Sequence, residues 1–482
     1  MPVNTPRPEY SEAYSRWKRC RDCYSGEDAV KAAGIEYLPR LDSHITRPEK
    51  YSAYLQRGMF FNGTSRTVNG FSGALFQKSP LVSCPDEIVD HLKDISLSGS
   101  SLDTFGIDLA IETLLVGRVG VLVDMATEIR SNPHVSRPYW VKYLAEDIVS
   151  WKTDRVEGHE VLKRVVLRES IRIEDSKDRF VMKDDTRYRI LSIEDGQYTQ
   201  TVVKPDPNNK IEFITIEAIT PLRRGAPLEF IPFVCIGPSS TNVNVDRPPL
   251  LDLVDINLSH YRTMADLEHG RHLTALPTPW VSGLKTEGPL EIGSGSAWIL
   301  DMGGHAGMLE YTGQGLGALE KAESEKRKMM AALGARLLEP DTNGGVEAAQ
   351  TVAMRHAGEH ATIRTIGQVL ERAMSTCLKW HTWWSGLVVV KDPLSAECEV
   401  ELNKDFFSVK MSAQDVEALL HAYQAGSISF ETFYTKLQEG GWAREGVSSE
   451  KEKADIKLDP GFTLPNPGKK AEEDPTEDTL EE

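Results

Sequence analysis

Cysteine is scarce in this sequence. Six residues, Cys20, Cys23, Cys84, Cys235, Cys377 and Cys398, are scattered over 482 positions. That excludes a disulfide framework and fits a reducing compartment. Long apolar runs are also missing. The nearest, Leu114 to Val123, is interrupted by Arg118, so no helical membrane span is expected. The opening residues MPVNTPRPEYSEAY hold no hydrophobic stretch of the kind a secretory signal needs, and none is expected. The sequon at Asn62-Gly63-Thr64 then carries no expectation of glycosylation. Basic charge is in deficit, with 55 Lys and Arg against 72 Asp and Glu and a net charge of −17. A broad grip on nucleic acid by phosphate neutralisation calls for the opposite balance. DNA sliding past acidic walls without being held is compatible with it.

Catalytic signatures are equally thin. There is no GxxxxGK[ST] phosphate loop, no GxSxG nucleophile turn and no evident carboxylate pair. Gly313-Gln-Gly315-Leu-Gly317 reads as a flexible lead into a helix. Cys20-Arg-Asp-Cys23 is a lone CxxC without the two further ligands that zinc requires, and it reads as two incidental thiols. His356-Ala-Gly-Glu359-His360 fits the inverted zinc-peptidase pattern, with two imidazoles one helical turn apart and Glu359 as base. No third ligand can be named, so packed histidines on a long helix are the simpler reading. A zinc-dependent hydrolase stands as the enzymatic alternative. No enzyme activity, cofactor or bound metal is expected.

The elements that are present follow an order. Residues 1–117 read as helical: Glu9 to Cys20, Glu27 to Ala33, a helix begun by Pro48, another over Asn62 to Phe76, and one capped by Ser101 or Asp103. Val119 to Asp124 is a buried strand. Tyr139 to Trp151, Glu160 to Arg172 and Tyr188 to Lys204 are strand-like, the last folding back at Glu194-Asp195-Gly196. Leu228 to Gly237 ends this block. Then Pro248-Pro249 opens a helix to about Leu273. At 100° per residue, Leu250, Val254, Leu258, Tyr261 and Ala265 form one apolar stripe. Leu253, Ile256, His260, Met264 and Leu267 form a second, about 120° away. Asp252, Asp255 and Asp266 mark a third, wet face. Two stripes suit a helix flanked by neighbours on both sides, with its third face wet.

A β-like stretch with Trp280 and Trp298 follows, and then a helix over Gly315 to Leu338 with Leu319, Ala322, Met329 and Leu333 as its stripe. Glu339, Pro340, Asp341, Thr342, Asn343, Gly344 and Gly345 form a loop. A helix from Glu347 to Trp384, more than about 50 Å long, carries Ile363, Ile366, Leu370, Met374, Cys377 and Leu378 in one stripe. Its closing Trp380, Trp383 and Trp384 read as core packing. Leu387 to Lys391 and Glu397 to Leu402 are expected to pair as strands. Ala413 to Ala425 and Phe430 to Glu439 are expected as helices. Residues 443–482 are nearly free of large apolar groups, with seven acids in Ala471 to Glu482, and read as a disordered acidic tail.

This order resembles the portal protein of a tailed bacteriophage. So does the wording: Tyr54-Leu-Gln-Arg57, Phe61-Asn-Gly-Thr64, Gly73-Ala-Leu-Phe76-Gln-Lys78, Gly117-Arg-Val-Gly-Val-Leu-Val-Asp124, Tyr143 to Trp151, Pro248-Pro-Leu-Leu-Asp252, Asn257-Leu-Ser-His-Tyr261, and Met330 to Leu338. These fragments resemble a branch of portal-like phage proteins often catalogued without a function, over roughly residues 45–440. The resemblance implies an α+β, predominantly helical fold. It assigns 1–249 to a helical N-terminus and wing, 250–273 and 315–338 to stem helices, 274–314 to a clip and 339–346 to a tunnel loop near DNA. The long wing helix would be 347–384, the C-terminal wing or crown 385–442, and the tail 443–482. It also implies a ring, usually of twelve subunits, at one capsid vertex of a virion assembled in the host cytoplasm, with Leu253, Val254, Leu258, Tyr261 and Met264 of the doubly striped helix at the interface between copies. The implied partners are a large terminase, a head–tail adaptor, and major capsid and scaffold proteins. Double-stranded DNA would pass through the channel without sequence-specific binding. A different virion component, capsid or scaffold, is the structural alternative.

Overall fold

The structure, a computed structural model, describes residues 2–41, 48–125, 137–175, 178–209, 212–276, 278–284, 298–309, 313–334, 349–387, 392–403, 413–444 and 447–458. For 278, 284, 349–361, 413, 439 and 457–458 it describes the backbone alone. The fold is mixed α+β, in two compact units, Met1–Lys404 and Asp405–Glu482. No helix among the described residues is long and apolar enough to cross a membrane.

The first unit begins with helices. Pro8 at the first helical position starts α1 (Pro8–Ser25), which buries Tyr10, Ala13, Trp17, Cys20 and Cys23 along one face. The CxxC thiols are thus core side chains, and burial pushes the Cys20 thiol up to about 12. Then come α2 (Glu27–Ala32), α3 (Pro48–Arg57) and α4 (Gly63–Leu75). The Asn62 side chain accepts from the Ser65 amide at 2.9 Å and caps α4. After β1 (Leu81–Ser83) and α5 (Asp86–Val89), α6 (Leu102–Val116) is capped by Ser101 and stopped by Gly117, whose φ of 75° favours glycine.

The chain then changes period. Strand β2 (Val119–Met125) is buried along almost its whole length, between β11 (Phe233–Ile236) and β3 (Pro138–Leu144) in a three-stranded sheet. The stretch Tyr139 to Trp151, expected as one strand, is two. A single turn at Ala145–Asp147 hands the chain from β3 to β4 (Ile148–Val156) in a second sheet. That antiparallel sheet runs β4, β5 (His159–Glu174), β6 (Met182–Glu194), β7 (Gln197–Pro205), β8 (Phe213–Ile219). Asp195 (φ 48°) and Gly196 (φ 80°) make the two-residue turn between β6 and β7 that the Asp-Gly pair predicts. The small hairpin β9 (Leu222–Arg223) and β10 (Ala226–Pro227) precedes β11.

The remaining elements are α7 (Leu251–Ala275), β12 (Thr278–Leu284), β13 (Leu300–Leu309), α8 (Leu316–Ala332), α9 (Ala349–Trp384) and β14 (Glu399–Glu401). Helix α9 buries the predicted stripe from Ile363 to Leu378, and Trp380, Trp383 and Trp384 are core side chains, with Phe230 stacked 5.9 Å from Trp380. Glu399–Glu401 pairs with β1, Leu81 opposite Glu401. It was expected to pair with Leu387 to Lys391, of which 388–391 lie outside the described residues. A three-residue strand carries too little pattern to name its partner.

The second unit contains α10 (Ala413–Gln424), α11 (Phe430–Glu439) and α12 (Ser449–Leu458). Tyr423 and Phe433 stack at 4.8 Å. Part of the segment expected to be disordered is therefore helical. The Ser448 hydroxyl accepts from the Lys451 amide at 3.3 Å, and Tyr434 donates to Glu452 at 3.3 Å. Capping and one tertiary contact supply what low hydrophobicity does not. Residues 459–482 lie outside the described residues.

Candidate assembly surface

Helices α7 and α8 form an antiparallel pair. Gly270 comes so close to Leu316 that a Cβ would lie 2.7 Å from its Cδ2. Farther along, His260 Nε2 and Glu323 Oε1 are 3.1 Å apart, and Lys326 Nζ donates to the Ser259 carbonyl at 3.1 Å and to the Thr263 hydroxyl at 2.5 Å. Burial lowers the pKa of His260 and of Lys326; Glu323 pulls His260 the other way. Arg271 bridges Glu268 (2.8 Å) and Glu320 (2.9 Å) at the end where the β-strands leave.

Helix α7 also packs against α1, α3 and α4 of its own chain. Tyr261 meets Phe60 edge-on at 6.0 Å. Gly58 lies close against Tyr261 and Ala265, where a Cβ would come within 3.2 Å and 3.1 Å of them. Asn257 is fully engaged: its oxygen accepts from the Thr64 amide (3.1 Å) and hydroxyl (3.0 Å), and its nitrogen donates to the Phe61 carbonyl (2.7 Å). A buried amide so satisfied fixes the approach of α4 to α7.

This packing corrects the expected ring interface. Leu253, Val254, Leu258, Tyr261 and Met264 are between 0% and 7% exposed within a single chain. The two stripes are covered by α1, α3 and α4 on one side and α8 on the other, so these five side chains are not free to meet another copy. A hydrophobic pattern records that a face is buried, not which chain buries it.

The third face is exposed. Asp252 pairs with Arg247, Asp255 with Arg19 at 3.2 Å, and Asp266 accepts from the Tyr54 hydroxyl at 2.5 Å. Burial, then this bond to Asp266, raises the Tyr54 pKa. Arg262 on the same face donates to the Tyr37 carbonyl at 2.8 Å. Two of the three carboxylates are therefore locally balanced. Neither partner was read from the sequence: Arg247, five residues before Asp252, could have been found from its spacing, whereas Arg19 is distant in sequence.

On α8, Leu319 and Ala322 are half-buried, but Met329 and Leu333 of the expected stripe are exposed and Met330 is buried instead. The solvent side carries Lys321, Glu325, Arg327 and Lys328. Strands β12 and β13 form an antiparallel hairpin, Thr278 opposite Leu309 and Trp280 opposite Gly307. Four of its apolar side chains lie at the surface: Trp280, Met308 and Leu309 are exposed, and Met302 is 98% so, while Val281 and Leu300 are half-buried. These exposed apolar groups are gathered in one small element. Residues 285–297, the loop Glu339 to Gly345, and the side chains of His356, Glu359 and His360 lie outside what is described. Among the described residues no group of three or more His, Cys, Asp or Glu could hold a metal ion.

A family model described as a domain of unknown function, DUF4055, matches residues 249–385, the segment that holds α7, the hairpin, α8 and α9. No curated protein matches the sequence. Two solved structures are similar at low identity. "Neck of empty GTA particle computed with C6 symmetry" matches at 15% identity and a TM-score of 0.37, over 81% of this chain and 93% of that one. "Neck of native GTA particle computed with C12 symmetry" matches at 13% identity and a TM-score of 0.37, over 79% and 90%. Similarity at this level leaves the functional reading to the chain's own residues.

Proposed function

We propose that this chain is the portal subunit of a tailed phage or phage-like particle, a non-catalytic protein that forms a ring at one capsid vertex. Genome is packaged and ejected through the ring. The observation that carries this reading is the antiparallel α7–α8 pair with an apolar, solvent-exposed hairpin at its end, in the segment where the portal resemblance places stem and clip. In this reading α7 and α8 are the stem, residues 274–314 the clip, and Glu339 to Gly345 the tunnel loop nearest DNA. Residues 1–249 and α9 form the wing, and 385–442 the crown. The exposed Trp280, Met302, Met308 and Leu309 give the clip an apolar face for the large terminase and then for the head–tail adaptor. Capsid and scaffold proteins meet the wing side. DNA passes without sequence-specific contacts, because a net charge of −17 leaves little to hold phosphate.

The test is single-particle electron microscopy with native mass determination. Rings with a central pore and a mass near twelve times 53.7 kDa are expected. Closed shells or sheets point instead to a capsid or scaffold protein. A monomer with one zinc per chain points to the hydrolase.

A further inference from the structure

The five-stranded sheet has two open edges of matched character, on opposite sides. On one side, β5 outruns β4. The β4 ladder ends at Leu167, while the β5–β6 ladder continues to Glu174 opposite Met182. Strand β6 in turn is paired with β7 only from Tyr188 onward. Arg168–Glu174 and Met182–Arg187 therefore form a two-stranded ribbon about 20 Å long that pairs with no further strand among the described residues. Its outer β5 edge exposes Ile171 (39%) and Ile173 (41%), two residues apart on one face. On the other side, β8 closes the sheet order and pairs only with β7 among the described residues. It exposes Ile214 (42%) and Ile216 (44%) with the same spacing. Phe-Ile-Thr-Ile-Glu-Ala-Ile has one charge and no proline, and its only edge-blunting device is a bulge at Ile216, so the stretch Phe213–Thr215 runs regular and open.

We propose that β8 of one copy pairs with the free part of β5 of the next, joining the sheets of neighbouring subunits into a continuous belt. A second copy is the occupant because both halves of the contact lie on this chain, at opposite edges of one sheet. Such a contact is head-to-tail, so it does not stop at a dimer, and it closes into a ring when the rotation between copies divides a full turn. The strands are antiparallel, since β8 runs with β6 and against β5. The register that sets Ile173 opposite Ile214 puts Arg172 opposite Thr215, and the bulge at Ile216 lies beyond this pair. The inference rests on the ring reading above but replaces the α7 stripes as the source of the interface.

The test uses the full chain. Arg172→Cys with Thr215→Cys, oxidised with copper–phenanthroline, is expected to give a ladder of linked copies up to the full ring, and neither single variant should do so. Ile214→Lys with Ile216→Lys changes only exposed side chains. It is expected to leave the thermal midpoint unchanged while raising the concentration needed for rings at least tenfold. Rings formed by this lysine variant at wild-type concentration overturn the proposal and leave the ring reading standing. A wild-type chain that is monomeric at every concentration overturns both.

Discussion

Helix α7 and the β12–β13 hairpin adjoin in sequence but use their apolar side chains in opposite ways. In α7 both stripes are covered by helices of the same chain, and even its polar residues are engaged: Asn257 with Thr64 and Phe61, His260 with Glu323. In the hairpin, Trp280, Met302, Met308 and Leu309 are exposed, and the strands are held by the backbone ladder with Ser282 bonded to the His305 backbone. One element places its apolar side chains inside the fold; the other keeps these four at the surface. A helix satisfies its own backbone and places side chains all round, so it can sit between neighbours. A two-stranded ribbon has two faces and two edges, and a single chain rarely covers them all.

The largest effect that sharpens this contrast is Tyr261→Ala in α7. Loss of a fully buried aromatic between α3 and α7 should cost about 3–5 kcal/mol, read as a lowered denaturant midpoint at constant slope. Met302→Ala in the hairpin should stay within about 0.5 kcal/mol. Equal losses at the two sites would break the comparison. Next comes Asn257→Ala, which removes the acceptor of the Thr64 amide. The expected cost is about 1–3 kcal/mol, with faster hydrogen exchange at the start of α4.

Acid should act on the helix pair before the hairpin. The folded pKa of His260 lies below its ordinary value, so the folded state binds fewer protons than the unfolded one. Its contribution is complete above about pH 6.5, the unfolded value, and is lost as pH falls below it. Hydrogen exchange between pH 7 and 5 should show α7 and α8 loosening, and His260→Gln should remove that dependence. The smallest effect belongs to the exposed ion pair of Arg19 and Asp255. Asp255→Ala should cost about 0.2–1 kcal/mol in thermal unfolding and less in high salt.

Local chemistry was legible in the sequence. Ser101 caps α6, Asp195-Gly196 turns the hairpin, and the α9 stripe is buried where its period puts it, because each depends on residues a few positions apart. What depends on distant pairing was not legible. The strand over Phe213–Ile219 was missed because it is open on both faces and shows no alternation of burial. The partner of Glu399–Glu401 lies more than three hundred residues away, in β1. The candidate site was half legible. The sequence located α7, its acidic face and the hairpin, but a double stripe looks the same whether its neighbours are other helices of the chain or other copies.

The most direct test of the account is a structure of the assembled protein at side-chain resolution. The account predicts a ring in which Tyr261 and Leu258 keep their contacts within one chain, while β8 and the outer edge of β5 meet between copies. A ring whose neighbours touch through Leu258 and Tyr261, with β8 open to solvent, would contradict it.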